Sequence, residues 1–184
     1  QANTGAGKTV MFSYITKQYV NNGRKVLILC HREELVKQTV ETLKKFEVAS
    51  QEIFPTTKQL KVLTADVYVG MVETIYNRVS KRKFEFDNIG LVIADECHIR
   101  VFQKVYPYFN NSKILGVTAT PVHTQRIKFW RCNICRDTKD EPFECCNNEA
   151  AEWSKPYTFS MDYEDIVVGP SMKELIAFGQ LVED

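Results

Sequence analysis

Four short apolar runs, separated by stretches in which apolar residues return every three or four positions, set the rhythm of this chain. The runs are Lys25–Cys30 (KVLILC), Val67–Val72 (VYVGMV), Ile89–Ala94 (IGLVIA) and Lys113–Val117 (KILGV). They are nearly continuous rather than alternating, as expected of strands covered on both faces. Between them the spacing is helical. Val10, Met11, Tyr14, Ile15, Gln18 and Tyr19 recur at helical intervals until Asn21-Asn22-Gly23 supplies a stop. Leu35, Val36, Val40, Leu43 and Phe46 line one side of a second helix, with Glu33 and Glu34 near its start and Lys44 and Lys45 near its end, as the helix dipole prefers. Glu73–Arg78 predicts a short helix and Val105–Phe109 a weaker one, whereas Ser50–Lys61, polar and carrying Pro55, reads as loop. Strands alternating with helices predict βαβ units, and so an α/β domain on a mostly parallel sheet.

Composition narrows the picture without redirecting it. The chain has 184 residues, 44% of them hydrophobic and 26% charged, which suits a globular domain with a sizeable core and some material left over. A net charge of +1 gives no broad basic footprint and leaves a nucleic-acid partner open. No apolar run is long enough to span a bilayer, and the N-terminus lacks a secretory pattern. Four of the six cysteines fall within Cys132–Cys146. With a nucleotide-type motif and no export signal, a reducing compartment is expected, so metal binding outranks disulfides.

The candidate chemistry begins at Asn3-Thr4-Gly5-Ala6-Gly7-Lys8-Thr9. A glycine-rich turn ahead of a helix leaves consecutive backbone N–H groups free for phosphate, Lys8 adds a mobile positive charge, and Thr9 a hydroxyl for Mg²⁺. The full motif places a further glycine where Ala2 stands, so the match is to its core, Gly-x-Gly-Lys-Thr. A second element follows the apolar run Ile89–Ala94, which leads straight into Asp95-Glu96. A carboxylate pair at a strand's carboxyl end suits Mg²⁺ binding by Asp95 and activation of an attacking water by Glu96.

In order and spacing, Gly5-Ala6-Gly7-Lys8-Thr9, Asp95-Glu96-Cys97-His98 and Thr118-Ala119-Thr120-Pro121 resemble motifs I, II and III of the superfamily 2 helicases of the DExH, DEAD-like group. Leu29–Leu35, with His31 and Arg32, is similar to motif Ia, and Val69–Thr74 to the segment holding a strand-contacting threonine. The resemblance spans nearly all of residues 1–122 and implies a RecA-like fold and an ATP-dependent motor acting on nucleic acid, DNA in preference to RNA. It implies that Gly5, Ala6, Gly7, Lys8 and Thr9 bind ATP and that Thr9 and Asp95 hold Mg²⁺. Glu96, Lys8 and Asp95 would carry hydrolysis; His98, Thr118 and Thr120 would couple it to movement. His31, Arg32 and Thr74 would lie near the nucleic-acid backbone. A P-loop ATPase that remodels protein, and a zinc-bearing binding module without catalysis, are the competing readings.

The family pattern also implies a strand feeding the P-loop ahead of Gln1 and a second RecA-like domain beyond Asp184 that supplies arginines. The expectation is a fragment that folds poorly by itself and turns over ATP feebly. Residues 161–184 resemble the connector toward that second domain, and the overall likeness is to bacterial and phage proteins of the cytoplasm. Residues 123–160 interrupt the pattern. Cys132-Asn133-Ile134-Cys135 is a C-x₂-C knuckle, and Cys145-Cys146 follow nine residues later. This set suits a compact zinc site, with His123 as a substitute ligand. The adjacent cysteines depart from paired C-x₂-C knuckles, so free thiols, or less readily a disulfide, remain alternatives.

Overall fold

The computed structural model describes residues 7–57, 65–82, 86–119, 126–156, 158, 163–165 and 167. The chain divides into two compact units, 1–120 with 165–184 and 121–164. Gly5, Ala6, Thr120 and His123 lie outside the described residues.

The first unit is a five-stranded parallel sheet. Its strands are β1 (Lys25–Cys30), β2 (Gln51–Ile53), β3 (Val67–Met71), β4 (Ile89–Asp95) and β5 (Lys113–Val117), in the order β2-β3-β1-β4-β5. β1 lies at the centre, with Ile28 opposite Val69 of β3 on one side and Ile93 of β4 on the other. Five of the six residues of β1 and six of the seven of β4 are buried, as continuous apolar runs require. The helices are α1 (Lys8–Asn21), α2 (Glu33–Lys45) and α3 (Val72–Val79). The main core joins Phe12 of α1, Val36, Val40 and Leu43 of α2, and the inward residues of β1, β3 and β4. At about 1.5–3 kcal/mol for each large apolar side chain removed from water, this shared core dominates the unit's stability.

The sequence-based reading needs correction in three places. The stretch read as loop from Ser50 contains β2, which pairs with β3 from Gln51↔Tyr68 to Ile53↔Gly70. It is an edge strand with one fully buried residue, Ile53, so it carries almost no apolar signal. Gly70 makes its approach possible: a Cβ there would lie 3.1 Å from the Ile53 Cβ and 3.1 Å from Cδ1 of Ile75. Arg78 then ties down the chain after β2, donating from Nη2 to the Phe54 carbonyl at 2.8 Å and to that of Thr57. The helix expected at Val105–Phe109 is replaced by two 3₁₀ turns, Arg100–Lys104 and Tyr106–Phe109, the second with Pro107 in its first turn. Finally, α1 packs Ile15 and Tyr19 of its apolar series against the core but turns other residues further inward. Val10, Met11 and Tyr14 are exposed, while Phe12, Ser13 and Thr16 are buried. The small polar residues let the helix settle closely against its neighbours, and Thr16 Oγ1 donates back to the Phe12 carbonyl at 2.8 Å.

The second unit is an antiparallel ribbon. β6 (Arg126–Arg131) pairs with β10 (Ala151–Pro156) on one side and with β7 (Thr138–Lys139) on the other, and β8 (Glu144–Cys145) forms a hairpin with β9 (Asn148–Glu149). Trp153 faces Phe129 across the strands. Cations lie over these rings, Arg131 at 5.7 Å from the Trp153 centroid and Lys155 at 5.8 Å from that of Phe129. Among its described side chains, Cys132 alone is buried.

Candidate nucleotide site

Strand ends position the site. In a parallel sheet every strand delivers its last residue to the same edge, where loops lead into helices. His31 and Arg32 follow β1, Thr74 lies in the first turn of α3 after β3, Asp95 closes β4, and Thr118 follows β5.

Gly7 caps α1 in the left-handed region at φ 69°, a conformation glycine adopts without strain. Its carbonyl accepts the first helical hydrogen bond, from the Met11 N–H at 3.0 Å. No side chain caps the helix and no acidic residue stands in its first turn. The leading N–H groups therefore face an anion-binding position with nothing negative on the helix to compete for it. Lys8 is the first helical residue, with half-buried Thr9 beside it.

Lys8 Nζ donates to Glu96 Oε1 at 2.6 Å. The other oxygen of Glu96 lies 3.3 Å from Nδ1 of His98, and that nitrogen is 2.9 Å from the hydroxyl of Thr118. One chain of polar contacts thus crosses from the helix N-terminus through the Asp-Glu turn to the end of β5. Glu96 itself is held at φ 60°. A left-handed backbone at a non-glycine residue costs roughly 1–2 kcal/mol. Here it folds the chain back so that the Cys97 N–H reaches the Val117 carbonyl at 3.1 Å, locking the turn to β5.

Asp95 is buried, at 5% exposure. Burial first, and the Glu96 charge second, push its carboxyl up to about 6, against the pull of Lys8. A carboxylate costly to ionise in its own pocket is one whose charge a divalent cation would stabilise. The neighbouring Cys30 thiol, buried at the end of β1 and facing the same carboxylate, is pushed up to about 12. It acts as a small apolar wall rather than as a nucleophile. Sequence reasoning missed it, because a cysteine ending an apolar strand gives no signal of its own. His31 is held below the usual histidine range by burial and by Arg32, while Glu96 pulls the other way. Its Nδ1 is buried with no partner among the described residues. Arg32 is exposed and Thr74 is buried.

Lys8, Asp95, Glu96, His98 and Thr118 are therefore brought together, with His31 within electrostatic reach. A lysine paired with Glu96, the leading N–H groups of α1, a hydroxyl and a buried carboxylate form a donor set that fits a nucleoside triphosphate with Mg²⁺. Mg²⁺ bound there would neutralise phosphate charge; Gly7 and Lys8 would bind the phosphates, Asp95 and Thr9 would hold the ion, and Glu96 would take a proton from water.

A second constellation lies wholly in the ribbon unit. The thiols of Cys132, Cys135, Cys145 and Cys146 all lie within 4.8 Å of one another, and none forms a disulfide. Sγ of Cys145 is 3.3 Å from that of Cys135 and 3.7 Å from that of Cys146. Backbone N–H groups of Cys135 and Ile134 pull Cys132 down to about 7, whereas Cys145, beside Cys135 and Cys146, is pushed up to about 12.

A five-stranded parallel sheet with these residues at its carboxyl edge defines the RecA-like ATP-binding domain of the superfamily 2 helicases. Within that class, residues 1–123 match the family described as type III restriction enzyme, res subunit, and the chain belongs to it. The 51.5 kDa protein of Lactococcus phage (isolate 7-9) is 34% identical over 124 residues, 66% of this chain and 24% of that protein. The candidate ATP-dependent helicase IRC3 of Saccharomyces cerevisiae is 32% identical over 141 residues, 64% of this chain and 19% of that protein. A DEAD box protein from the hyperthermophile Methanococcus jannaschii superposes with a TM-score of 0.57 at 25% identity, covering 65% of this chain and 38% of that one. The chain spans only a minor part of each relative's length.

Proposed function

We propose that this motor domain binds ATP with Mg²⁺ and, within a longer protein, drives translocation on or unwinding of DNA in preference to RNA. The observation that carries the reading is the contact chain Lys8–Glu96–His98–Thr118. It links a phosphate-binding group to a carboxylate base, and the base to a hydroxyl on the neighbouring strand, as coupling hydrolysis to movement requires. Gly5, Ala6, Gly7, Lys8 and Thr9 cradle the triphosphate, and Thr9 with Asp95 holds Mg²⁺. Glu96 accepts the proton of the attacking water, and as it leaves Lys8 for that task the shift passes to His98 and to the threonines at 118 and 120. His31 and Arg32, on the loop after β1, and Thr74, in the first turn of α3, face the nucleic-acid backbone.

DNA is favoured because a restriction-enzyme family model covers residues 1–123 and a restart protein, PriA of Rickettsia prowazekii, is among the relatives at 27% identity. The phage relative supports a place in the cytoplasm of a bacterium or of an infected host. In the longer protein a second RecA-like domain would supply arginines to the transferring phosphoryl group, worth around 10³–10⁵ in rate in related NTPases. The test is ATP turnover by the longer protein with single-stranded DNA, duplex DNA and RNA. Stimulation by DNA with loss of turnover in Glu96→Gln is expected. Stimulation by RNA alone would overturn the DNA preference, and turnover indifferent to every nucleic acid would overturn the motor reading.

A further inference from the structure

The ribbon unit has a fold without a core. Cys132 is its one buried residue among the described side chains, and its regular hydrogen bonding rests on three-stranded pairing and a small hairpin. So little apolar burial cannot offset the conformational entropy of the unit's described residues, 126–156 above all, and folds of this size lean on a covalent or metal staple. The staple is visible in how the backbone bends around the four cysteines.

Two turns bring the thiols together, and both break a local rule to do so. In the first, the Arg136 N–H reaches the Cys132 carbonyl at 3.0 Å and the Cys132 N–H reaches that of Asp137 at 2.9 Å, closing a tight loop with Arg136 at φ 64°. In the second, Cys146 and Asn147 form the two-residue loop of the β8–β9 hairpin, at φ 52° and 59°. Such loops favour Asn-Gly, because both positions need a left-handed backbone. Cysteine at the first position is costly, and consecutive side chains of a strand ordinarily point to opposite faces. The left-handed turn at Cys146 cancels that divergence and swings its thiol back beside that of Cys145.

The resulting spacing fits one kind of occupant. A tetrahedral ion with metal–sulfur bonds of roughly 2.3 Å sets its sulfurs about 3.8 Å apart. The thiols here lie 3.3 and 3.7 Å apart along two edges and within 4.8 Å throughout. A disulfide needs about 2.05 Å. Four sulfur donors with no oxygen or nitrogen donor among the described residues of the cluster select a soft or borderline ion. We propose that Cys132, Cys135, Cys145 and Cys146 bind a single Zn²⁺ as a closed tetrathiolate, and that this ion, in place of an apolar core, holds the ribbon unit folded. The site has no open position for water and so serves structure rather than catalysis. It stands independently of the ATPase reading.

The test uses the full chain, purified without chelator. Elemental analysis is expected to give one zinc per chain, and exchange with Co²⁺ to give the d–d and thiolate charge-transfer bands of a tetrahedral sulfur site. Cys135→Ser should weaken zinc retention against a competing chelator by at least about tenfold, while Cys97→Ala, a thiol of the other unit, should leave retention unchanged. Should Cys135→Ser fail to fold, the zinc content and cobalt spectrum of the unaltered chain still decide the matter. Free thiols without metal, a disulfide found by mass spectrometry, or iron in place of zinc would each overturn the assignment.

Discussion

In the first unit, the residues proposed to carry chemistry stand at the ends of sheet strands: Asp95 closes β4 and His31 follows β1, both strands buried almost from end to end, and Thr118 follows the half-buried β5. Their positions are fixed by the packing of Val26, Ile28, Leu91 and Ile93 several residues back. In the second unit, four cysteines are themselves the organising centre, and the strands around them bury almost nothing. One unit places its polar groups with an apolar core; the other builds what order it has around its polar groups. The lesson concerns removal. Deleting a site residue from the first unit should cost function and spare the fold, and deleting one from the second should cost the fold itself.

The largest expected effect breaks the comparison if it fails. A structural zinc site is worth on the order of 10 kcal/mol to a small module, so chelation should unfold the ribbon and leave the sheet intact. Both tryptophans, Trp130 and Trp153, lie in the ribbon. Tryptophan emission thus reports it separately, while far-UV circular dichroism follows mainly the helices of the first unit. Loss of both signals together would deny the units their independence. Next, Glu96→Gln should lower DNA-stimulated ATP turnover of the longer protein by about 10²–10⁴-fold, with a melting temperature near that of the parent. A variant that lost turnover only because it no longer folded would collapse the distinction from the other side.

Core changes sharpen the contrast. Ile93→Ala, at a fully buried position opposite Ile28, should cost about 2–5 kcal/mol in denaturant titration. Gly70→Ala, pressing on Ile53 and Ile75, should cost about 1–3 kcal/mol. The most gradual effect is one of pH. Asp95 titrates at about 6 when folded, against 3.8 without the fold's influence. Between those values the folded state retains a proton that the unfolded chain releases, so stability falls as pH rises through the window and the penalty is complete above it. Asp95→Asn should remove that slope, gaining on the parent as pH rises from about 4 to about 6 in melts without nucleotide. A parallel pair of curves would show that Asp95 is solvated after all.

What was legible in the sequence divides along the same line. Continuous apolar runs announced β1, β3 and β4 to within a residue, because near-complete burial leaves little room for polar residues, and they announced β5 as well although it is only half-buried. The Gly-Lys-Thr and Asp-Glu motifs were legible because their chemistry admits few residue types, and the structure joins Lys8 to Glu96 directly. β2 was hidden because an edge strand of three residues with one buried side chain needs no apolar pattern. The inward side of α1 was only partly legible, because close packing at Ser13 and Thr16 favours small residues over apolar ones. The ribbon's strands were hidden because their described side chains are exposed or half-buried, so no alternation had to be kept. Only the cysteines marked that region, and spacing alone could not show that Cys146 turns back toward its neighbour. That took its backbone angle.

The pairing of Lys8 with Glu96 has a bearing on selectivity among anions. Each group is the other's counter-ion at 2.6 Å, so a phosphate approaching Lys8 meets a charge already neutralised. A lone inorganic anion would offer Lys8 a replacement partner but leave Glu96 with only His98 against the charge of Asp95 at the same strand end. In the proposed function, a triphosphate arriving with its divalent ion would satisfy both groups together. The contact between the two residues would then disfavour simple phosphate and sulfate, ahead of any recognition of sugar or base.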